Sequence, residues 1–139
     1  MILRTATAAD AAWIDEQYAV ARFLSSDLGR DVVVIAEVDG QRAGIGRLVP
    51  AGDGAFELGG MWVLDAFRGR GIARAIVEEL IRRAHDATLF CIPFADLEAF
   101  YASTGFQRIG REGAPAKVQE KLAWCDREVK REVLLMKMS

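Results

Sequence analysis

The sequence has few of the residues that staple a chain or bind a metal, and it lacks a long apolar run. Its 139 residues include two cysteines, one histidine and three prolines. Cys91 and Cys125 lie in apolar surroundings without a partner motif, which favours buried free thiols over a disulfide or a metal site. His85 adjoins Asp86 at the expected end of a helix, with no serine or cysteine nucleophile motif beside it, so it reads as a surface residue. No apolar run approaches the length of a bilayer span, and the opening MILRTATAAD contains Arg4 and lacks the apolar core of a signal peptide. A soluble, cytoplasmic protein with no membrane role is expected. An excess of one charge is missing too: 18 Lys and Arg against 20 Asp and Glu leave a formal charge of -2 and no basic stripe. Nucleic acid is thereby excluded as a partner drawn by a global field, and any anion site has to be local.

What is present is globular. Hydrophobic residues make up 52% and charged residues 27% of the chain, and the length suits one domain over 1–139 with a core that needs no staples.

The chain is organised around residues 57–84, ELGGMWVLDAFRGRGIARAIVEELIRRA. Phe56, Leu58, Met61, Trp62, Val63 and Leu64 suit a strand, and Ile72, Ile76, Val77, Leu80, Ile81 and Ala84 recur at helical steps. Between them RGRGIAR, residues 68–74, combines Gly69 and Gly71 with Arg68, Arg70 and Arg74 before a helix N-terminus. Backbone N–H groups there can approach a ligand unobstructed, and a polyanion such as a pyrophosphate is the natural guest. Plain turn geometry with a solvated arginine rim explains the same residues, so the remainder of the chain has to decide.

The flanking pattern predicts the following order. Residues 2–4 form a strand, and 8–21 a helix capped by Thr7 or Asp10, with Ala12, Trp13, Tyr18 and Val20 facing inward. Residues 32–38 and 41–49 pair through an Asp39-Gly40 hairpin, with Gly44 and Gly46 marking a close approach to the second strand's backbone. Residues 50–54 form a loop. Gly59-Gly60 inside the next strand marks a bulge, which would splay that strand from its neighbour. Residues 87–92 form a strand parallel to 57–64, reached by a right-handed crossover. Then come a short helix over 96–103 stopped by Gly105, a strand from Phe106 to Gly110, a helix with Val118, Leu122 and Cys125 on one face, and a strand over 133–138. The fold class is α+β, a mixed and mostly antiparallel sheet with helices packed on it.

Two motifs carry a resemblance. Arg68, Gly71 and Ala73 fit the pattern Arg/Gln-x-x-Gly-x-Gly/Ala, and Tyr101, Gly105 and Phe106 fit Tyr-x-x-x-Gly-Phe on the following helix. In this order and context the chain resembles the GNAT superfamily of acyl-CoA-dependent N-acyltransferases over nearly its whole length. The resemblance implies helices on both sheet faces, a splayed central strand pair, and acetyl-CoA (coenzyme A) as cosubstrate. It implies that the N–H groups of Gly69, Arg70, Gly71, Ile72, Ala73 and Arg74 cradle the pyrophosphate beside Arg68, and that Met61, Trp62 and Val63 pair with the pantetheine arm. The N–H of Met61 would hold the thioester oxygen.

The reaction so implied is direct acetyl transfer to a primary amine of a small molecule or amino acid, without an acyl-enzyme. Tyr101 resembles the family's general acid, although from the residues alone a core tyrosine beside Phe100 is the better reading. Glu57 resembles the general base of some members, and an ordinary exposed strand glutamate is the other reading. The acceptor pocket is expected from the loop around residues 22–30, the hairpin and the segment after Phe106. A non-catalytic acyl-CoA-binding or regulatory module is the alternative function, and an exposed edge strand would suffice for a homodimer.

Overall fold

The computed structural model describes residues 1–138. Seven strands form one sheet: β1 (Ile2–Thr5), β2 (Val32–Val38), β3 (Gln41–Gly52), β4 (Ala55–Val63), β5 (Leu89–Cys91), β6 (Gln107–Arg108) and β7 (Met136–Met138), in the order β1-β2-β3-β4-β5-β7-β6. Every neighbouring pair is antiparallel except β4 and β5. Their parallel pairing follows from the connection, since α2 (Ile72–Arg83) carries the chain back across the sheet. The expected α+β class with a mostly antiparallel sheet therefore holds.

Helices cover both faces, as the alternation of side chains along each strand requires. On one face α1 (Ala11–Ala21) buries Ile14 and Tyr18 against Val33, Ile35 and Ile45. Further along that face α4 (Ala116–Glu128) buries Val118, Leu122 and Cys125 against Ala51, Ala55, Phe90 and Leu135. The opposite face carries α2 and α3 (Glu98–Ser103) over Val34, Ala36, Leu48, Leu58, Leu89, Cys91 and Met136. Each fully buried aliphatic side chain, such as Ile76 or Leu80 at 0% exposure, contributes roughly 1.5–3 kcal/mol. α2 lies so close to β3 that a Cβ on Gly46 would stand 2.6 Å from Ile76 Cγ2, the close approach expected from the glycines of that strand.

Asp39 and Gly40 turn the β2–β3 hairpin with φ of 52° and 76°, the positive pair that an Asp-Gly turn supplies. Four expectations need correction. On α1, Ile14 and Tyr18 face the sheet, whereas Ala12 is exposed and Val20 is 66% exposed. At 100° per residue, positions two away from Ile14 and Tyr18 point to solvent. Trp13 is only partly buried, beneath the Arg42 guanidinium at 5.6 Å. Residues 50–52 belong to β3 rather than to a loop, because Pro50 lies beyond the last β2–β3 pair, Val32 with Leu48, where its missing N–H breaks no ladder. The strands expected over 87–92 and 133–138 shorten to Leu89–Cys91 and Met136–Met138; Val133 makes only a bridge to Phe94. β6 is likewise confined to Gln107–Arg108.

Candidate active site

The site begins at a change of register in β4. Trp62 pairs with Ile45 but Gly59 pairs with Arg47, so three steps on β4 match two on β3. The extra residue sits at Gly60, whose φ of 59° lies in the left-handed region. The bulge inverts the strand's parity. Before it, the Phe56 N–H points to β5 and donates to the Thr88 carbonyl; after it, the Leu64 N–H points to β3 and donates to Ala43. By alternation Met61 and Val63 then direct their N–H groups away from β3. Among the described residues no strand receives them, because the β4–β5 ladder ends at Leu58 and Cys91. A wedge-shaped gap opens between the two parallel strands, edged on the β4 side by free donors.

Beyond β4, a turn of 3-10 helix over Asp65–Phe67 leads to the glycine-rich segment. Gly69 and Gly71 have φ of 79° and 75°, and among the described residues no atom outside the adjoining ones lies within 4 Å of where their Cβ atoms would stand. Among the described residues, no backbone acceptor faces the N–H groups of residues 69–74; the first helical bond is Ala75 N–H to the Gly71 carbonyl. The result is a concave, open run of donors at the start of α2, suited to a phosphate-like anion. Arg68 folds back over Trp62 at 5.5 Å and donates to the Val63 carbonyl at 3.2 Å. Arg74 leans the other way, donating to Ser103 Oγ at 2.9 Å beside Phe100. Ile72 alone of this group is buried, anchoring the helix start in the core.

Tyr101 stands on α3, in the core of that face, its ring edge-on to Phe100 and Phe106 at 5.0 and 6.1 Å. It is 7% exposed, and burial pushes its phenol above the ordinary range, with Cys91 adding to the effect. Its hydroxyl makes no hydrogen bond among the described residues, so a protonated donor is held on this side of the sheet without a protein acceptor. Cys91, at the last β5 pair, is 1% exposed and its thiol is also pushed up by burial, while Cys125 is buried as well; both are free. His85 is exposed at the end of α2.

On the other face of the sheet, Glu57 is only 9% exposed, which disposes of the exposed-strand reading. Its carboxylate lines a cleft of 360 Å³ between β3, β4, α4 and the loop after α1, with Ser25, Arg30, Arg47, Val49 and Trp124 among the walls. The expected loop and the segment after Phe106 both contribute, whereas the hairpin contributes only through β3. Lys121 donates to Glu57 Oε2 at 3.1 Å. A larger hollow of 520 Å³ between residues 108–111 and 132–135 contains none of these groups.

Arg47 and Lys121 escaped the sequence reading. Arg47 carried a signal, a charge inside the apolar run AGIGRLV, and it proves 3% exposed. Lys121 carried none, since lysines are common on helix surfaces. No cluster of His, Cys, Asp and Glu able to hold a metal occurs among the described residues, and no helix there is long and apolar enough to cross a membrane.

Solved structures with this fold are numerous. Rv2747 of Mycobacterium tuberculosis, in complex with CoA and a second ligand, is 21% identical, with 99% of this chain and 98% of that one covered and a TM-score of 0.79. A ribosomal-protein-alanine N-acetyltransferase of Brucella melitensis is 24% identical, with 99% and 98% covered and a TM-score of 0.71. N-acetylglutamate synthase of Neisseria gonorrhoeae, complexed with coenzyme A and N-acetyl-glutamate, is 17% identical, with 99% of this chain and 35% of that one covered and a TM-score of 0.73. At such identities the likeness is one of fold. No curated protein matches the sequence significantly. The family follows from the sequence itself: residues 29–108 match the model of the acetyltransferase (GNAT) domain, a span that takes in the bulged strand, the glycine-rich turn and the Tyr101 helix. Splayed strands, donor-lined turn and matched residues together make this chain a member of the GNAT acetyltransferase family.

Proposed function

We propose that residues 1–139 form one acetyltransferase domain that moves an acetyl group from acetyl-CoA directly to a primary amine of a small molecule or amino acid. One observation carries the reading. The gap between β4 and β5, edged by the free N–H groups of Met61 and Val63, opens from the donor-lined turn and separates Tyr101 on one face from Glu57 on the other. Coenzyme A in crystals of structural relatives supports it.

The residues fit such a cosubstrate. The N–H groups of residues 69–74 would bind the diphosphate, with Arg68, Arg70 and Arg74 as exposed counter-charges. Backbone groups of Met61, Trp62 and Val63 would pair with the amides of the pantetheine arm, the Met61 N–H meeting the negative charge that grows on the acyl oxygen. Acetyl-CoA supplies an activated acyl carbon. As the amine nitrogen bonds to that carbon and the C–S bond breaks, Glu57 takes the surplus amine proton, directly or through water, and Tyr101 gives a proton to the sulfur. Amide and free thiol result; Glu57 then releases its proton to solvent and Tyr101 takes one back.

The ammonium of Lys121 beside Glu57 favours a second reading, an acyl-CoA-binding module without turnover, because the carboxylate oxygens are already engaged by a donor from α4. Calorimetry with CoA and acetyl-CoA, followed by thiol release against a panel of amines, separates the two. Binding with turnover is expected; binding without turnover would leave the module, and no binding would remove both.

A further inference from the structure

Arg47 projects from the middle of β3 into the cleft that Glu57 lines, 3% exposed, and its Nη1 is the one buried side-chain nitrogen or oxygen without a hydrogen-bond partner among the described residues. Its guanidinium lies 4.6 Å over the Tyr18 ring, and its Nε is 2.9 Å from where a Cβ on Gly60 would stand. Two nearby acids are engaged elsewhere. Glu57 accepts from Lys121, and Asp31 accepts from Arg30, Ser26 and the Asp27 N–H. A buried guanidinium stacked on an aromatic ring, with Nη1 unpaired among the described residues, can take up an anion.

Resting on the acetyltransferase reading above, we propose that Arg47 binds the carboxylate of the acceptor, and that the acceptor is a free α-amino acid. The planar donor fork of arginine matches a carboxylate in two parallel hydrogen bonds. Basic side chains in the cleft, Arg30, Arg47, Lys117 and Lys121, outnumber the acidic Glu57 and Glu120, so an anion is favoured there. The position selects the α-amino acid. Arg47 pairs with Gly59 beside the bulge, where β4 leaves β5, so a carboxylate held there keeps an amine on the adjacent carbon at the mouth of the gap. The volume of 360 Å³ lies at the small end of ligand pockets, which suits a single amino acid better than a peptide.

The test measures thiol release from acetyl-CoA with the twenty standard amino acids, and with the α-amide of each one that reacts. The acid should exceed its amide by roughly 100-fold or more in kcat/KM, because the amide leaves a buried charge unpaired. Arg47→Gln should bring that ratio to within about threefold, mainly through KM, while Arg47→Lys, which keeps the charge without the fork, should retain part of it. Calorimetric affinity for CoA should be the same in all three proteins. A merely structural Arg47 would leave the acid-to-amide ratio unmoved. Equal rates with acids and amides, or a preference surviving Arg47→Gln, would overturn the inference alone. Failure to bind CoA, or no thiol release with any amine, would overturn the reading beneath it and this inference with it.

Discussion

Lys121 Nζ stands 3.1 Å from Glu57 Oε2, joining α4 to the bulged strand across 64 positions of sequence. Their side chains are 21% and 12% exposed, so the pair sits at the wall of the cleft rather than in open solvent.

Removing one partner should cost more than removing both. Lys121→Met leaves the largely buried Glu57 carboxylate without its ammonium partner, and a loss of about 1–2 kcal/mol is expected. Adding Glu57→Gln should restore part of it. Denaturant unfolding of the two single variants and the double variant measures the coupling; strictly additive losses would show that the contact contributes nothing.

Tyr101→Phe should lower kcat by roughly 100-fold or more and leave CoA affinity unchanged, since only proton delivery to the sulfur is lost. Burial raises the phenol above its ordinary value of 10.0, so the group stays protonated throughout the neutral and mildly alkaline range. Rising pH meanwhile deprotonates the amine. The rate should therefore climb with pH and show no alkaline decline below about pH 10. A decline centred near pH 8 would assign the proton donor to another group.

Gly60→Ala should damage the site from within. The left-handed φ of 59° strains any L side chain, and the new Cβ would meet the Tyr18 hydroxyl at 2.4 Å, where that hydroxyl donates to the Gly60 carbonyl. A stability loss of roughly 1–3 kcal/mol is expected from the backbone alone, read as a fall of several degrees in Tm. Turnover should fall further than CoA affinity, because the bulge shapes the gap and not the phosphate turn. An unchanged Tm would mean that the bulge relaxes freely.

Asp10, 1% exposed, accepts from Arg4 at 2.7 and 2.8 Å and from Arg42 at 2.9 Å, tying β1 and β3 to the start of the first helix. The Arg4 hydrogen bonds hold its carboxyl far below the usual range. A carboxyl depressed in the folded state stabilises the protein fully above its unfolded value, about 4, and that contribution is lost as pH falls below it. Asp10→Asn should lower Tm at pH 7, and the gap from the parent protein should narrow between about pH 4 and pH 2. A gap independent of pH would locate the stabilisation in packing rather than charge.

Much of this was written locally. The Asp39-Gly40 turn, the bulge at Gly59-Gly60, the open glycines at 69 and 71 and the inward face of α4 depend on dihedral preference and on the spacing of a few neighbouring residues, so the amino-acid order alone determined them. It also determined the family, because the motif residues lie within single turns of chain. Only the tertiary structure decided which side of α1 is buried, since Ala12, Ile14 and Val20 are all apolar and the sheet beneath selects among them. It alone brought Lys121 to Glu57 and left Arg47 Nη1 buried beside Tyr18 without a hydrogen-bond partner among the described residues. Those relationships join β3, β4, α1 and α4, and no periodicity within one element encodes which charges meet when separate elements pack.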